Sequence, residues 1–402
     1  MSLAARQAPL GKRRRGERPA PFDFALLACA LSLLAFGFVM VSSASMSIAD
    51  SCCKDPFFFV ARHAIALSLA LTAGLVAFSV PVQWWERSGV WLFLLGVLSL
   101  VVLLIPGIGR NVNGATRWIP LGPLNFQPSE FMKLFAVVYM AGYLVRHADT
   151  VAKKISGFVK PMILVGIAAA LILKQPDFGT TTVMLATVMG LLFLGGVSVM
   201  PFAVLFGAML VGLTFLVLTS EYRMKRVLSF LNPFDDPFNS GYQLSQALIG
   251  FGRGEWLGVG LGNGIQKQYF LPEAHTDFIA SVVAEELGFV GMLAVIGAFA
   301  FIAWRAFSIG ARAAAAGQPF SAYMAQGIGI WLALQAFVNI GVNAGMLPTK
   351  GLTLPFMSYG SNSLIVACMG IAILLRIDLT LRQGDPSPRP VRGVPWRKAA
   401  NG

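Results

Sequence analysis

The chain has 402 residues, of which 56% are hydrophobic and 12% charged, with a formal net charge of +13. An ordinary soluble domain carries about a quarter charged residues, so this composition excludes a water-soluble globular protein and points to the membrane. The basic excess falls in short clusters between apolar blocks, which is the pattern of cytoplasmic loop charge and argues against nucleic acid as a partner.

Residues 1–21 include KRRRGER and several prolines and are expected to form a disordered basic tail. The apolar block from about Phe24 to Ser43 is too long for a signal-peptide core, and its basic flank lies on the N-terminal side. It therefore reads as an uncleaved first span with the N terminus in the cytoplasm. Further blocks run from about Phe57 to Val80, Gly89 to Pro106, Ser129 to Val145, Val159 to Leu173 and Phe178 to Gly196. The last four lie near Met200 to Ser220, Phe278 to Trp304, Tyr323 to Gly345 and Ser358 to Leu375.

At roughly 20 residues per crossing, these blocks predict an all-α integral membrane protein, a bundle of about ten transmembrane helices. The bundle occupies residues 22–378, and a basic C-terminal tail over 379–402 returns to the cytoplasm. Arg146, Lys153, Lys154 and Lys160, then Arg305 and Arg312, then Arg376 and Arg382 all fall on the expected inner side. The extracytoplasmic side of the cytoplasmic (inner) membrane then receives residues 107–128, 174–179 and 346–357. It also receives a large loop, 221–277, between the seventh and eighth spans. Cys52 and Cys53 fall in an expected outer loop and, like Cys29 and Cys368, are expected to be free, because a bridge between adjacent residues is strained.

The segment Gly258 to Gly291 crowds Lys267, Glu273, His275, Asp277, Glu285 and Glu286 at the border where polar sequence turns apolar. A helix beginning near Asp277 would align Asp277, Ser281 and Glu285 at a spacing of four. Asp277 is the first candidate for acid–base chemistry, with a dipole-favoured helix N-terminal acid as the plain alternative. Glu285 would lie roughly 12 Å further along, too far to share a proton, and is assigned to lining a polar cavity. A second set comprises Arg117, Glu130 and Lys133. Lys133 sits one turn inside a span, where an ionisable group needs a partner or a cavity, and Glu130 three residues earlier can pair with it. Lys350 is a further candidate cation. Asp177 is expected to order its turn, and Gly260, Gly262 and Gly264 to shape backbone, since no strand precedes them and no GKS or GKT follows.

Four stretches, NGATRWIPLGPLNFQPSEFMKL, KQPDFGT, GVGLGNGIQKQYFLPEAHTDFIASVVAEELG and AGMLPTKGLTLPFMSYG, resemble in order and spacing the shape, elongation, division and sporulation (SEDS) family of polytopic proteins. The similarity covers about Phe24 to Asp378, and LPTKGLTLP and YQLSQALIGFGRGE look like division-type rather than elongation-type members. The resemblance implies a peptidoglycan glycosyltransferase that polymerises lipid II on the outer face of the membrane at the division septum. It also implies a class B penicillin-binding protein as crosslinking partner, alongside other divisome membrane proteins. Asp277 matches the essential Asp of the family's HTDF motif. Arg117 and Lys133 match basic residues of its RW and PSEF motifs, which implies a grip on the lipid diphosphate, with Glu130, Lys350, Glu285 and His275 around the substrate. The chain reads SYGSNS where the family usually has SYGGSS, and Ala280 where an aromatic is frequent.

The residue types suit that chemistry. An acceptor hydroxyl attacks an anomeric carbon while a diphosphate leaves, so one general base and positive charge suffice. A divalent cation, magnesium or manganese, is compatible with this and could be held by Asp277 with Glu273 or by the substrate. A lipid II flippase and a non-catalytic divisome scaffold are the competing readings. A flippase needs polar residues through the membrane depth, and a scaffold leaves the acid and base cluster without a purpose.

Overall fold

The computed structural model describes residues 22–384 except 113, 122, 123, 198, 240 and 350. The expected N-terminal tail, the C-terminal tail beyond Gly384 and Lys350 lie outside the described residues. Among those described, seven helices are long and apolar enough to cross a bilayer. They are α1 (Phe24–Cys53), α2 (Phe58–Ser79), α3 (Val82–Leu103), α6 (Ser156–Lys174), α11 (Ile279–Ala315), α12 (Pro319–Asn343) and α13 (Ser361–Gln383). Between them lie α4 (Pro128–Arg146), the short α5 (Ala148–Lys153), α7 (Phe178–Leu194), α8 (Val199–Leu218), α9 (Glu221–Leu231) and α10 (Tyr242–Gly254). The chain is a multi-pass helical membrane protein.

Lipid tails are as apolar as leucine, so the helices gain little by hiding leucines from them and associate instead through close packing of small residues. On α2 the buried stripe is His63, Ala66, Ala70, Gly74 and Ala77, and this face runs along α13. A Cβ on Gly74 would stand 3.5 Å from the backbone carbonyl oxygen of Cys368, so the two helices approach almost backbone to backbone. The opposite face of α2 leaves Leu75 and Val76 exposed, as a lipid-facing surface should. Most of α4 is buried, with α3, α7 and α12 packed around it, so its two charged residues, Glu130 and Lys133, lie inside protein rather than against lipid.

Four expectations need correction. Helix α1 continues through the expected loop to Cys53, so Cys52 and Cys53 form its last turn, which Lys54 closes in a left-handed conformation. All four cysteines are free. Residues 107–128 contain a small antiparallel sheet, β1 (Arg110–Val112), β2 (Ala115–Leu121) and β3 (Leu124–Phe126), in that spatial order, which an all-α reading leaves out. The strands give the connection's backbone groups partners that a bare loop would lack. The 221–277 segment is largely ordered as α9, α10 and a π-helical turn, Gln266–Phe270. Finally, α13 runs on to Gln383, past the expected boundary at Asp378.

Helix α11 is two helices joined at Gly288, whose φ of 66° and ψ of −163° are non-helical. The break frees backbone groups on both sides, and the 255–260 strand of chain takes them up. Val259 and Gly260 N–H donate to the carbonyls of Glu285 and Glu286, and Phe289 and Val290 N–H donate to those of Glu255 and Trp256, at 2.9–3.1 Å. A Cβ at Gly288 would lie 2.4 Å from the Gly258 nitrogen. Only glycine meets both the dihedral and the contact.

Candidate functional site

The site lies at the end of the bundle that carries the sheet, where four segments converge: strand β2, the 174–178 turn, the 273–278 turn and the 349–358 loop. Asp277 precedes the first residue of α11 by two positions and belongs to the turn, not the helix. The turn is closed by Thr276 and Phe278 N–H donating to the Glu273 carbonyl at 3.1 and 3.2 Å, with Glu273 itself at a φ of 56°. The Asp277 carboxyl packs against the facing loop so closely that a Cβ on Gly351 would lie 3.0 Å from its Oδ2.

Around Asp277 stand charges of both signs. Burial first, and then the carboxylates of Glu273 and Asp177, push its carboxyl up from the ordinary 3.8 to about 7, against the opposing influence of Arg117 and Arg226. Arg117 on β2 donates from Nε to the Gln175 carbonyl at 3.1 Å and from Nη2 to that of Pro176 at 2.5 Å. Its guanidinium is thereby fixed on the turn that bears Asp177 while keeping other N–H groups for a ligand. Asp177 caps α7 through Thr180 N–H at 3.1 Å and accepts from Ser129 Oγ at 3.1 Å, the turn-ordering role its sequence context suggests. Arg226, on the unexpected helix α9, donates to the Thr349 carbonyl at 3.3 Å and so pins the facing loop.

That loop dips into the bundle. Leu352, Leu354, Phe356 and Met357 are buried, and irregular backbone at such depth is tolerated only where protein supplies hydrogen-bond partners. Helix α12 does this with a polar stripe. Gln335 Nε2 donates to the Thr353 carbonyl at 3.0 Å, and Asn339 Nδ2 to that of Leu352 at 2.5 Å. Asn362, at the SYGSNS departure, accepts from Gln127 N–H at 3.1 Å and donates to the Asn125 carbonyl at 2.7 Å, joining α13 to the sheet.

The other sequence candidates each have partners of their own. Lys133 and Glu130 form a buried pair at 2.9 Å; Lys133 also donates to Gln335 Oε1 at 2.6 Å and faces the Trp331 ring at 5.5 Å. Its charge is matched inside the bundle. Glu285, expected to line a cavity, is sealed: its carboxylate accepts from Arg253 Nη1 at 2.6 Å and from the Ile265 and Gln266 amides at 2.8 and 3.1 Å. Beside it Glu286 accepts from Lys267 Nζ at 2.5 Å, from Ser43 Oγ at 3.2 Å and from Gly262 N–H at 3.0 Å. These carboxylates staple the glycine segment onto α11 and α1. His275 packs between Phe59 and Tyr359 with ring centroids 5.0 and 5.4 Å away, and burial lowers its pKa. Arg226, Asn339 and Asn343 are the site-region residues that sequence reasoning missed. The amphipathic run EYRMKR and the i, i+4, i+8 amides of α12 were the available signals.

Comparison with known proteins follows the same outline. A family model, FTSW_RODA_SPOVE, cell cycle protein, matches residues 24–383. The chain is 67% identical over 399 residues to a probable peptidoglycan glycosyltransferase FtsW of Allochromatium vinosum, covering 99% of this chain and 100% of that one. A protein of the same name from Methylococcus capsulatus is 52% identical over 355 residues, 88% of this chain and 89% of its own. Among solved structures, a chain from work on the structural coordination of polymerization and crosslinking by a peptidoglycan synthase complex superposes with a TM-score of 0.73 at 29% identity, covering 91% of this chain and 99% of that one. The rod shape determining protein RodA of Thermus thermophilus superposes with a TM-score of 0.67 at 27% identity, covering 91% and 98%.

Proposed function

The chain belongs to the FtsW, RodA and SpoVE family of cell cycle proteins and is a peptidoglycan glycosyltransferase, and on that premise we propose that it polymerises lipid II with Asp277 as general base. An acceptor sugar hydroxyl gives its proton to the Asp277 carboxylate as its oxygen attacks the anomeric carbon of the donor, and the bond from that carbon to the diphosphate breaks. The diphosphate leaves without needing a proton, so positive charge is what it requires. Arg117 is the proposed contact, its planar fork held on the Gln175 and Pro176 carbonyls, with the charge of Arg226 nearby. The buried Lys133–Glu130 pair acts through Gln335, which accepts from Lys133 Nζ and donates to the Thr353 carbonyl of the facing loop, and Lys350 is a further proposed cation.

The observation that carries the assignment is the place of Asp277: its carboxyl stands at the mouth of α11 against Gly351, with the charges of Arg117 and Arg226 acting on it and burial pushing its pKa up to about 7. A base is most effective when its pKa lies near the working pH. A divalent cation would arrive on the diphosphate oxygens. Among the described residues no three His, Cys, Asp or Glu side chains are placed to hold a metal ion, and Glu273 Oε2 is engaged by Thr276 Oγ1 at 2.7 Å, so Asp277 and Glu273 make a poor resident site. No step is assigned to the ion.

We place the site on the extracytoplasmic face of the cytoplasmic membrane, at the septum, in a bundle of about ten crossings with both termini inside. Helix α4 and the shorter apolar helices α7 and α8, added to the seven long ones, support that count, and the 221–277 insertion then falls outside between the seventh and eighth crossings. The crosslinking partner is a class B penicillin-binding protein, with other divisome membrane proteins around it. The test is polymerisation of purified lipid II by the purified chain, with and without that partner. Glycan polymer that depends on the chain and rises with the partner is expected; transbilayer movement of lipid II without polymer would overturn the proposal.

A further inference from the structure

Helix α12 is apolar over most of its length, yet Gln335, Asn339 and Asn343 recur on it every four residues, and all three are buried. A buried amide left without partners costs about 1–3 kcal/mol, so three in register on one face need a purpose. Gln335 and Asn339 hold the carbonyls of the buried loop, as described above. That accounts for only part of the stripe.

The remainder converges on a single atom. Asn339 Nδ2 and Asn343 Nδ2 both donate to the backbone carbonyl oxygen of Asp277, at 2.9 and 3.0 Å. Asn343 Oδ1 meanwhile accepts from the Ser281 N–H at 3.2 Å and its hydroxyl at 2.8 Å, in the first turn of α11. Asn343 is thus fixed on both sides, its amide nitrogen also donating to the Asn339 carbonyl on its own helix at 2.9 Å. Asn339 reaches the Leu352 carbonyl with the same nitrogen, so one amide joins the base-bearing turn to the loop segment whose Gly351 abuts the Asp277 carboxyl. A carbonyl that accepts two donors from a neighbouring helix leaves its residue little room to shift.

We propose that Asn339 and Asn343 are positioning residues for the reaction: their side-chain amides grip the Asp277 carbonyl and set where its carboxyl stands against the 351–353 loop. The proposal rests on the reading of Asp277 as the base. The partners of Arg117, the proposed diphosphate contact, are the Gln175 and Pro176 carbonyls and not the asparagines, so loss of the asparagines should act on the chemical step and not on binding. A misplacement of about 1 Å can cost on the order of a hundred-fold in rate.

The experiment compares full-length Asn343→Leu, Asn343→Ala and Ser281→Ala with the wild type in steady-state polymerisation of purified lipid II, and checks folding by melting temperature and gel filtration. Ser281→Ala removes the hydroxyl contact of Asn343 without touching the Asp277 carbonyl. Asn343→Leu and Asn343→Ala should lower kcat by roughly ten- to a hundred-fold with KM for lipid II within about two-fold, while Ser281→Ala, which leaves the Ser281 N–H on Asn343 Oδ1, lowers kcat less than either. A folded Asn343 variant with wild-type kcat, a loss confined to KM, or failure of both Asn343 variants to fold would overturn the proposal. Asp277→Asn run in parallel separates the two levels. If it is inert while Asn343→Leu is fully active, positioning fails and the base stands; if it is active, the base assignment itself fails.

Discussion

Replacing Glu285 by Gln tests whether the charged pair beside the glycine segment is a staple or part of the chemistry. The Glu285 side chain is fully buried, and its oxygens accept from Arg253 Nη1 and from the amides of Ile265 and Gln266 at 2.6–3.1 Å. Glutamine has nearly the same volume but turns one acceptor into a donor, so one of these partners loses its oxygen. Breaking a buried ion pair by neutralising one member costs roughly 3–5 kcal/mol. Arg253 has 37% of its side chain exposed and can recover water, which places the expected loss near the lower end, about 3 kcal/mol. This loss bears on the attachment of residues 258–267, not on the whole bundle. At 1.4 kcal/mol per factor of ten, local opening of that segment should become on the order of a hundred-fold more frequent. Hydrogen exchange by mass spectrometry over peptides covering 255–270 reads this directly. Glycan polymerisation should fall, but less than in Asp277→Asn, because the proposed base remains. Unchanged exchange in those peptides would refute the staple, and activity lost to the level of Asp277→Asn with unchanged exchange would assign Glu285 to the reaction.

Four further outcomes are expected. Polymerisation should rise with pH through about 7, the value to which the Asp277 carboxyl is raised, and a rate flat from pH 5 to 8 would contradict it. The same shift has a stability side: the folded chain holds the Asp277 proton between about 3.8 and 7 where the unfolded chain releases it, so ionisation costs stability increasingly through that window. Asp277→Asn should therefore melt higher than wild type at pH 8 and close to it at pH 4, in matched thermal scans. Arg117→Lys should raise KM for lipid II several-fold, since an ammonium cannot bridge the Gln175 and Pro176 carbonyls and still present a fork; unchanged KM would remove Arg117 from the site. Cysteines placed at Gly241 and Ala314 should label with an impermeant reagent from opposite sides of the membrane, the first from outside, and labelling from one side would overturn the topology.

The helices were largely legible because apolar blocks of bilayer length leave the chain few alternatives. What escaped was set by contacts rather than composition. The break at Gly288 needs the 255–260 segment to take up its freed backbone groups, and no periodicity announces that. The strands of 110–126 are short and flanked by glycine and proline, so their pairing depends on position at the bundle's end. In the site, Asp277 and Arg117 stand out as charges at the mouths of apolar blocks, and they do share one electrostatic environment. Lys133 and Glu285 carry the same signal; Glu130, one turn from Lys133, was readable as its ion-pair partner, whereas Gln335, its second partner, and Arg253, the partner of Glu285, lie far away in sequence. Spacing can show that a buried charge needs a partner without showing which one. The stripe of Gln335, Asn339 and Asn343 was readable at helical spacing, but neutral amides draw less notice than charges in a search for chemistry.

The most direct measurement of the central claim is made on purified Asp277→Asn, assaying lipid II polymerisation on a gel and lipid II binding separately. Asparagine keeps the shape and the backbone contacts to Asn339 and Asn343 but cannot take the acceptor hydroxyl's proton, and loss of a general base costs on the order of a hundred- to ten-thousand-fold. No detectable polymer is expected while lipid II binding is retained, because Arg117 and its turn are untouched. Near-normal polymer from the folded variant would contradict it and remove Asp277 from the mechanism.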